Sequence, residues 1–166
     1  MKKRKRNRVK KMNEEMGTPM GKPVEILLVE DNPGDVRLTR EALEESKLYN
    51  NLHVVMDGEA AMDFVYQRGE YADEPQPDLV LLDLNLPKKD GREVLEDIKK
   101  DEELRRIPVV ILTTSEADED IVKTYNLHAN AYITKPVGME KFIDVVKSVK
   151  DFWFTIVKLP DERLKS

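Results

Sequence analysis

The sequence predicts an α/β protein, a doubly wound (βα)5 sandwich in which helices cover both faces of a five-stranded parallel sheet. From residue 25 onward, short runs rich in Val, Ile and Leu alternate five times with longer amphipathic stretches, which is typical of repeated βα units. Three of these runs are continuously apolar, as in strands that are buried on both faces. The 166 residues, 40% of them hydrophobic, suffice for one compact domain and its core.

The first two βα units come before residue 69. An apolar Ile-Leu-Leu-Val run predicts a strand over Glu25–Glu30, and an Asn-Pro-Gly-Asp segment leads into a helix over Gly34–Lys47. A second apolar run predicts a strand over Leu52–Met56. Asp57 and the glycine after it are typical of the turn before a helix, here over Gly58–Arg68. The segment GEYADEPQPD that follows contains two prolines, so we expect a loop.

Three further units complete the pattern. Their predicted strands and helices are, in order, Asp78–Asp83, Gly91–Lys100, Pro108–Thr113, Ala117–Asn126, Ala131–Thr134 and Met139–Val157. Asp90 and Ser115 stand where turn or capping residues are expected, and acidic residues crowd the first turn of the fourth helix. Every predicted strand is therefore followed by a predicted helix.

Composition excludes several classes of site. The chain has no cysteine, which rules out a disulfide scaffold, a thiolate zinc site and a cysteine nucleophile. Its two histidines, His53 and His128, are too few for a histidine-rich metal site. Met56, Met62 and Phe64 fit core or helix packing rather than a cofactor site. No apolar run approaches the roughly 18 to 20 residues of a membrane helix, and no secretory signal is evident, so we expect a cytoplasmic protein without membrane contact.

Charge divides the chain into a basic tail and an acidic body. Residues 1–23 carry nine Lys or Arg and two Glu, whereas residues 24–166 carry 19 Lys or Arg and 31 Asp or Glu. We expect a disordered tail over 1–23, a folded domain over 24–159 and a short C-terminal tail over 160–166. The acidic body repels nucleic acid, but the basic tail leaves open a tether to phosphate groups.

Reactive side chains follow the predicted strands at one edge of the sheet. Glu30 and Asp31 end the first strand, Asp83 ends the third, Thr113 ends the fourth and Lys135 follows the fifth. Ligands of doubly wound proteins bind outside the carboxyl ends of the strands. We therefore expect three carboxylates, a hydroxyl and an ammonium group to converge there.

These groups predict phosphoryl chemistry. Clustered carboxylates repel one another unless they are neutralised, and Mg²⁺ binds one or two carboxylates together with water and phosphate oxygens. A carboxylate can act as a nucleophile and form an acyl phosphate. Asp83 is the preferred nucleophile because it ends the central strand, while Mg²⁺, Lys135 and the Thr113 hydroxyl together position the phosphoryl group and offset the charge on its oxygens.

Four motifs at these strand ends resemble those of the response-regulator receiver domain of two-component signalling, the family of the chemotaxis regulator. They are ILLVEDNPGD, DLVLLDLNLPKKDG, VVILTTS and YITKP, and the resemblance runs from about Val24 to Leu159. It implies a flavodoxin-like sheet in the order 2-1-3-4-5 and phosphorylation by a sensor histidine kinase. It also implies that the chain is not an enzyme beyond catalysing its own aspartyl phosphorylation and slow dephosphorylation.

The resemblance also implies a metal site. Asp83 is the phosphoacceptor, and it holds Mg²⁺ together with Glu30, Asp31 and the backbone carbonyl of Asn85. Glu30 stands where an Asp is more usual in the family, so we expect it to reach the metal through water and Asp31 to bind directly.

A second set of residues is implied to bind the phosphoryl group and to switch. Thr113 and Lys135 contact the phosphoryl oxygens, and Tyr132 matches the aromatic residue whose ring turns inward on activation. The bond between Lys135 and Pro136 is implied to be a cis peptide. Thr114 is larger than the usual Ala or Gly beside Thr113, which leaves the lifetime of the phosphoryl group open.

The GEYADEPQPD loop and the DFWFTIVKLP ending look like those of small regulators that serve phytochrome-type kinases. This similarity implies a stand-alone receiver whose downstream target the sequence does not identify. The last helix carries an apolar stripe that suffices for the sheet, and Ile143 and Phe154 fall outside it. We therefore expect a homodimer that uses the fourth helix, the fifth strand and the fifth helix.

An enzyme of the haloacid-dehalogenase type is the alternative, because such phosphatases also combine a nucleophilic Asp, Mg²⁺, a Thr or Ser and a Lys. Their nucleophile is followed two residues later by a second Asp that acts as acid and base. Asn85 occupies that position here. A receiver that is also tethered to nucleic acid by the basic tail is the other alternative.

Overall fold

The computed structural model describes residues 23–45, 49–113 and 118–134. They form one parallel sheet flanked by helices. The strands are β1 (Val24–Val29), β2 (Asn50–Val55), β3 (Leu79–Leu82), β4 (Val109–Thr113) and β5 (Ala131–Thr134). The helices are α1 (Pro33–Glu45), α2 (Gly58–Val65), α3 (Gly91–Lys100) and α4 (Asp118–Asn126). Short 3-10 turns lie at Gly69–Tyr71 and Leu104–Arg106.

The strands are hydrogen-bonded in the order β2-β1-β3-β4-β5, and every described pairing is parallel. The α/β class and the parallel sheet predicted from the alternating pattern are thus confirmed. The predicted fifth helix, Met139–Val157, lies outside the residues that the structure describes, as do residues 1–22 of the predicted tail. The complete (βα)5 arrangement therefore stays a prediction.

The sheet is covered by an apolar layer on each face, which explains why the strands appear in the sequence as continuous apolar runs. Successive side chains of a strand point to opposite faces, so one run supplies both layers. Leu27 and Val29 of β1 pack with buried residues of α2 and α3, whereas Ile26 and Leu28 pack with Ala42 and others on the side of α1. All four of these β1 side chains are at most 1% exposed.

The predicted starts of α2 and α3 are confirmed, and a capping residue precedes each of them. Asp90 accepts a hydrogen bond from the backbone of Arg92, and α3 begins and ends where the sequence predicts. Asp57 caps α2 in the same way, but α2 ends at Val65, three residues before the predicted end. The backbone turns away there because Gln67 adopts a positive φ of 55°.

Two local results correct or extend the sequence interpretation. Met62 and Phe64 are buried as expected, but Met56 is 49% exposed, because it follows the last residue of β2 and has no sheet face to pack on. Lys99, at the end of α3, donates from Nζ to the backbone oxygen of Ile107 at 2.8 Å, and burial lowers its pKa to about 8.

No helix in the described part of the chain has the length and apolar character needed to cross a membrane.

Candidate functional site

The ends of β1 and β3 lie side by side and bring three carboxylates together. Val29 pairs with Leu82, so the residues after these strands are neighbours at the carboxyl edge. Carboxylate oxygens of Glu30, Asp31 and Asp83 all lie within 4.8 Å of one another. The predicted cluster of three carboxylates is therefore present in the structure.

The end of β4 adds a hydroxyl group to this cluster. The Oγ1 atom of Thr113 donates a hydrogen bond of 2.9 Å to Oδ1 of Asp83. The backbone N–H of Asn85 donates to the same oxygen at 3.2 Å. These two donors hold the Asp83 carboxylate in one orientation relative to β4 and to the loop after β3.

The cluster is buried on one side and open on the other. Glu30 is 2% exposed, Asp83 is 7% exposed and Thr113 is fully buried, whereas Asp31 is exposed. Buried carboxylates are costly unless hydrogen bonds or cations compensate their charge. The site thus has a buried polar floor and meets solvent at Asp31.

Asn32 is a supporting residue that the sequence interpretation missed. Its backbone N–H donates to Oε1 of Glu30 at 3.0 Å, and its side-chain Oδ1 accepts from the backbone of Gly34 and Asp35. It is therefore the capping residue of α1, with Pro33 in the first helical position, where proline is favoured. The Asn-Pro pair in the sequence was the signal for this role. Asn32 connects the start of α1 to the buried carboxylate of Glu30.

Gly91 places the start of α3 against the backbone of Asp83. Its N–H donates to the backbone oxygen of Leu84 at 3.0 Å. A Cβ atom on residue 91 would lie 2.2 Å from the backbone oxygen of Asp83 and 2.7 Å from Cα of Leu84. Only glycine permits this approach, so the Asp-Gly pair predicted as a helix start also positions the phosphoacceptor candidate.

The donor set fits a hard divalent cation. The clustered ligand atoms are carboxylate oxygens, which Mg²⁺, Ca²⁺ and Mn²⁺ prefer. Glu30, Asp31 and Asp83 are the residues that would hold the ion, and two of the three side chains are already buried and oriented by hydrogen bonds.

Of the remaining predicted site residues, the structure describes only the backbone of Tyr132. Tyr132 lies in β5, where its backbone pairs with Ile111 of β4. Lys135, Pro136, Ile143, Phe154 and Thr114 lie outside the residues that the structure describes.

Comparison with known proteins identifies what this arrangement is similar to. Residues 26–147 match the family described as the response regulator receiver domain. The response regulator Rcp1 of Synechocystis is 49% identical over 138 residues, which cover 83% of this chain and 94% of that protein.

Solved structures agree with this match. The phosphorylated cyanobacterial phytochrome response regulator RcpA superposes with a TM-score of 0.80 at 49% identity, covering 84% of this chain and all of that one. The Mn²⁺-bound form of response regulator Rcp1 superposes with a TM-score of 0.79 at 49% identity and the same coverage. Relatives of this chain thus include one crystallised with a phosphoryl group and one with a divalent metal.

Proposed function

The chain belongs to the response-regulator receiver family of two-component signalling, and from that premise we propose that Asp83 accepts a phosphoryl group from a sensor histidine kinase. The observation that carries the proposal is the cluster of Asp83 with Glu30, Asp31 and the Thr113 hydroxyl. In this proposal the phosphorylated site alters the surface around Thr113 and Tyr132 and so signals to a partner.

The transfer itself requires little covalent chemistry from the protein. A carboxylate oxygen of Asp83 forms a bond to phosphorus while the bond from phosphorus to the imidazole nitrogen of the donor breaks. Catalysis of such a transfer comes mainly from positioning and charge stabilisation. The Asn85 N–H and the Thr113 hydroxyl position the Asp83 carboxylate, and Lys135 is proposed to contact the phosphoryl oxygens.

We propose Mg²⁺ as the cation of this site, held by Glu30, Asp31, Asp83 and the backbone carbonyl of Asn85. When bound, the ion supplies positive charge that offsets the charge of the phosphoryl oxygens. The Mn²⁺-bound relative supports a divalent metal, and the oxygen donors suit Mg²⁺. We expect Glu30, which is buried, to reach the ion through water and Asp31, which is exposed, to bind it directly.

Asp31→Asn should weaken Mg²⁺ binding at least about tenfold, because a direct carboxylate ligand loses its charge. The metal-free variant should unfold at a slightly higher denaturant concentration than wild type, since one of three clustered negative charges is gone. Titration calorimetry with Mg²⁺ measures the affinity, and Asp73→Asn, in the exposed loop before β3, is the matched control. An affinity equal to that of wild type would remove Asp31 from the metal site.

We further propose that the kinase is of the phytochrome type and that the chain acts as a stand-alone cytoplasmic regulator. RcpA is a phytochrome response regulator, and the similarity extends over all of the RcpA chain. The cytoplasm supplies both the phosphoryl donor and magnesium for such a reaction. A receiver tethered to nucleic acid through the basic residues 1–23 is the alternative that the charge pattern leaves open.

A homodimer through α4, β5 and the predicted fifth helix is also proposed. It depends on Ile143 and Phe154, which the sequence pattern places away from the apolar stripe of that helix. Sedimentation of the full chain should show a dimer that strengthens on phosphorylation and that Phe154→Glu weakens. Wild-type protein that stays monomeric at high micromolar concentration in every condition would exclude the dimer.

A haloacid-dehalogenase phosphatase is not favoured by any observation here. Asn85 stands where such an enzyme requires its second Asp, and the family match is to receivers. We therefore propose that the chain is a signalling protein that catalyses only its own phosphorylation and slow dephosphorylation.

The direct test is incubation of the full chain with Mg²⁺ and a small phosphodonor such as acetyl phosphate. Intact mass spectrometry should show one added phosphate, and peptide mapping should locate it on Asp83. Omission of Mg²⁺ should suppress the modification. Phosphate found on another residue, or no modification in the presence of Mg²⁺, would contradict the proposal.

A further inference from the structure

Arg92 joins two helices that flank the candidate site. It is the second residue of α3, and its side chain reaches Asp120 in the first turn of α4. Nε and Nη2 of Arg92 lie 2.9 and 2.6 Å from Oδ1 of Asp120, and Nη1 lies 3.1 Å from Oδ2 of Asp90. The guanidinium group therefore bridges the residue that caps α3 and an acidic residue of α4.

This bridge is partly shielded from water. The side chains of Arg92 and Asp120 are 21% and 20% exposed, respectively. Two guanidinium nitrogens of Arg92 lie against one carboxylate oxygen, which restricts the geometry of the contact, and shielding reduces the screening that makes ion pairs at a protein surface weak. The contact therefore favours the position of α4 relative to α3 that the structure shows.

Both bridged helices begin close in sequence to a residue that contacts Asp83. On one side, Gly91 precedes Arg92 and packs against the backbone of Asp83. On the other side, α4 begins five residues after Thr113, whose hydroxyl donates to the Asp83 carboxylate. The start of α4 is therefore near Thr113 along the chain and is joined to the start of α3 by Arg92.

We propose that the pair of Arg92 and Asp120 is a latch that holds α4 in the position it has when Thr113 donates to the Asp83 carboxylate. The inference rests on the proposed phosphorylation of Asp83. It adds a residue pair that contributes to the free-energy cost of that phosphorylation. Arg92 is a positioning residue in this scheme and has no contact with the phosphoryl group.

The physical reason is that the two links to Asp83 respond differently to a phosphoryl group. Its oxygens lie farther from the Asp83 backbone than the carboxylate oxygens do, so a Thr113 hydroxyl that bonds them must move with the end of β4. The close contact of Gly91 keeps α3 in place. Any displacement of α4 relative to α3 then lengthens the contact of Arg92 with Oδ1 of Asp120 and weakens it. Loss of the latch should therefore make phosphorylation more favourable, by thermodynamic linkage.

The experiment measures binding of a phosphoryl mimic, beryllofluoride with Mg²⁺, to the full chain and its variants. Arg92→Gln and Asp120→Asn should each bind the mimic about fivefold more tightly than wild type, and the double variant should gain little more. Lys100→Gln is the matched control, because Lys100 lies on the same helix and pairs with Glu96 of that helix. It should bind the mimic as wild type does.

Three outcomes are decisive. A purely structural pair would lower the thermal stability of both single variants but leave mimic affinity unchanged, and that result would overturn the latch. Weaker binding of the mimic by Arg92→Gln would overturn it as well. Wild-type protein that neither binds the mimic nor takes phosphate on Asp83 would instead overturn the proposed function, and the latch with it.

Discussion

Asp83→Asn should fold normally and accept no phosphoryl group from acetyl phosphate in the presence of Mg²⁺. An amide oxygen can still accept the hydrogen bonds from Thr113 and Asn85, so the packing of the site is retained. The amide lacks the negative charge of the nucleophile, and the rate of phosphorylation should fall by at least about two orders of magnitude. Intact mass spectrometry after a fixed incubation measures the loss.

Asp63→Asn is the matched control for this experiment. Asp63 lies on α2, is half exposed and pairs with Arg68 at 3.2 Å. The same change of charge at that position should leave phosphorylation unaltered. Circular dichroism and thermal unfolding should show that Asp83→Asn is folded. A folded Asp83→Asn protein that takes up phosphate at the wild-type rate would show that Asp83 is not the acceptor.

Gly91→Ala should lower the free energy of unfolding by about 3 kcal/mol, because a methyl group must displace backbone rather than a flexible side chain. The displaced atoms belong to Asp83 and Leu84, so phosphorylation should slow as well. Urea unfolding measures the first effect, and the rate of phosphate uptake from acetyl phosphate measures the second. A small protein has a total stability of about 5 to 15 kcal/mol, so this loss is substantial.

Gly69→Ala is the control for this experiment. It distinguishes the steric clash expected at residue 91 from the general effect of replacing a glycine. Gly69 has a positive φ of 59°, but no heavy atom outside its immediate neighbours lies within 4 Å of a Cβ built there. Gly69→Ala should lower the free energy of unfolding by about 1 kcal/mol through backbone strain alone, and it should leave the rate of phosphorylation unchanged. An equal loss of stability in both variants, with normal phosphorylation in each, would show that the contact of residue 91 with Asp83 is unimportant.

The elements of the sheet were predictable because their signals are local. An apolar run such as Ile26 to Val29 is typical of a strand covered on both faces, and its burial in two opposite layers confirms that prediction. Asp90 marks the start of α3 because its side chain satisfies a backbone N–H of the first turn. The early end of α2 was not predictable, since it depends on the backbone conformation of Gln67.

The clustering of the reactive groups was likewise predictable from the sequence, because parallel strands bring their carboxyl ends to one edge of the sheet whatever their distance along the chain. The sequence therefore determined which carboxylates meet. Only the tertiary structure decided how they meet: that Glu30 and Asp83 are buried while Asp31 is exposed, that Thr113 donates to Asp83, and that Arg92 reaches Asp120. These contacts join residues about 30 positions apart, so they depend on sheet register and helix packing, which no local pattern encodes.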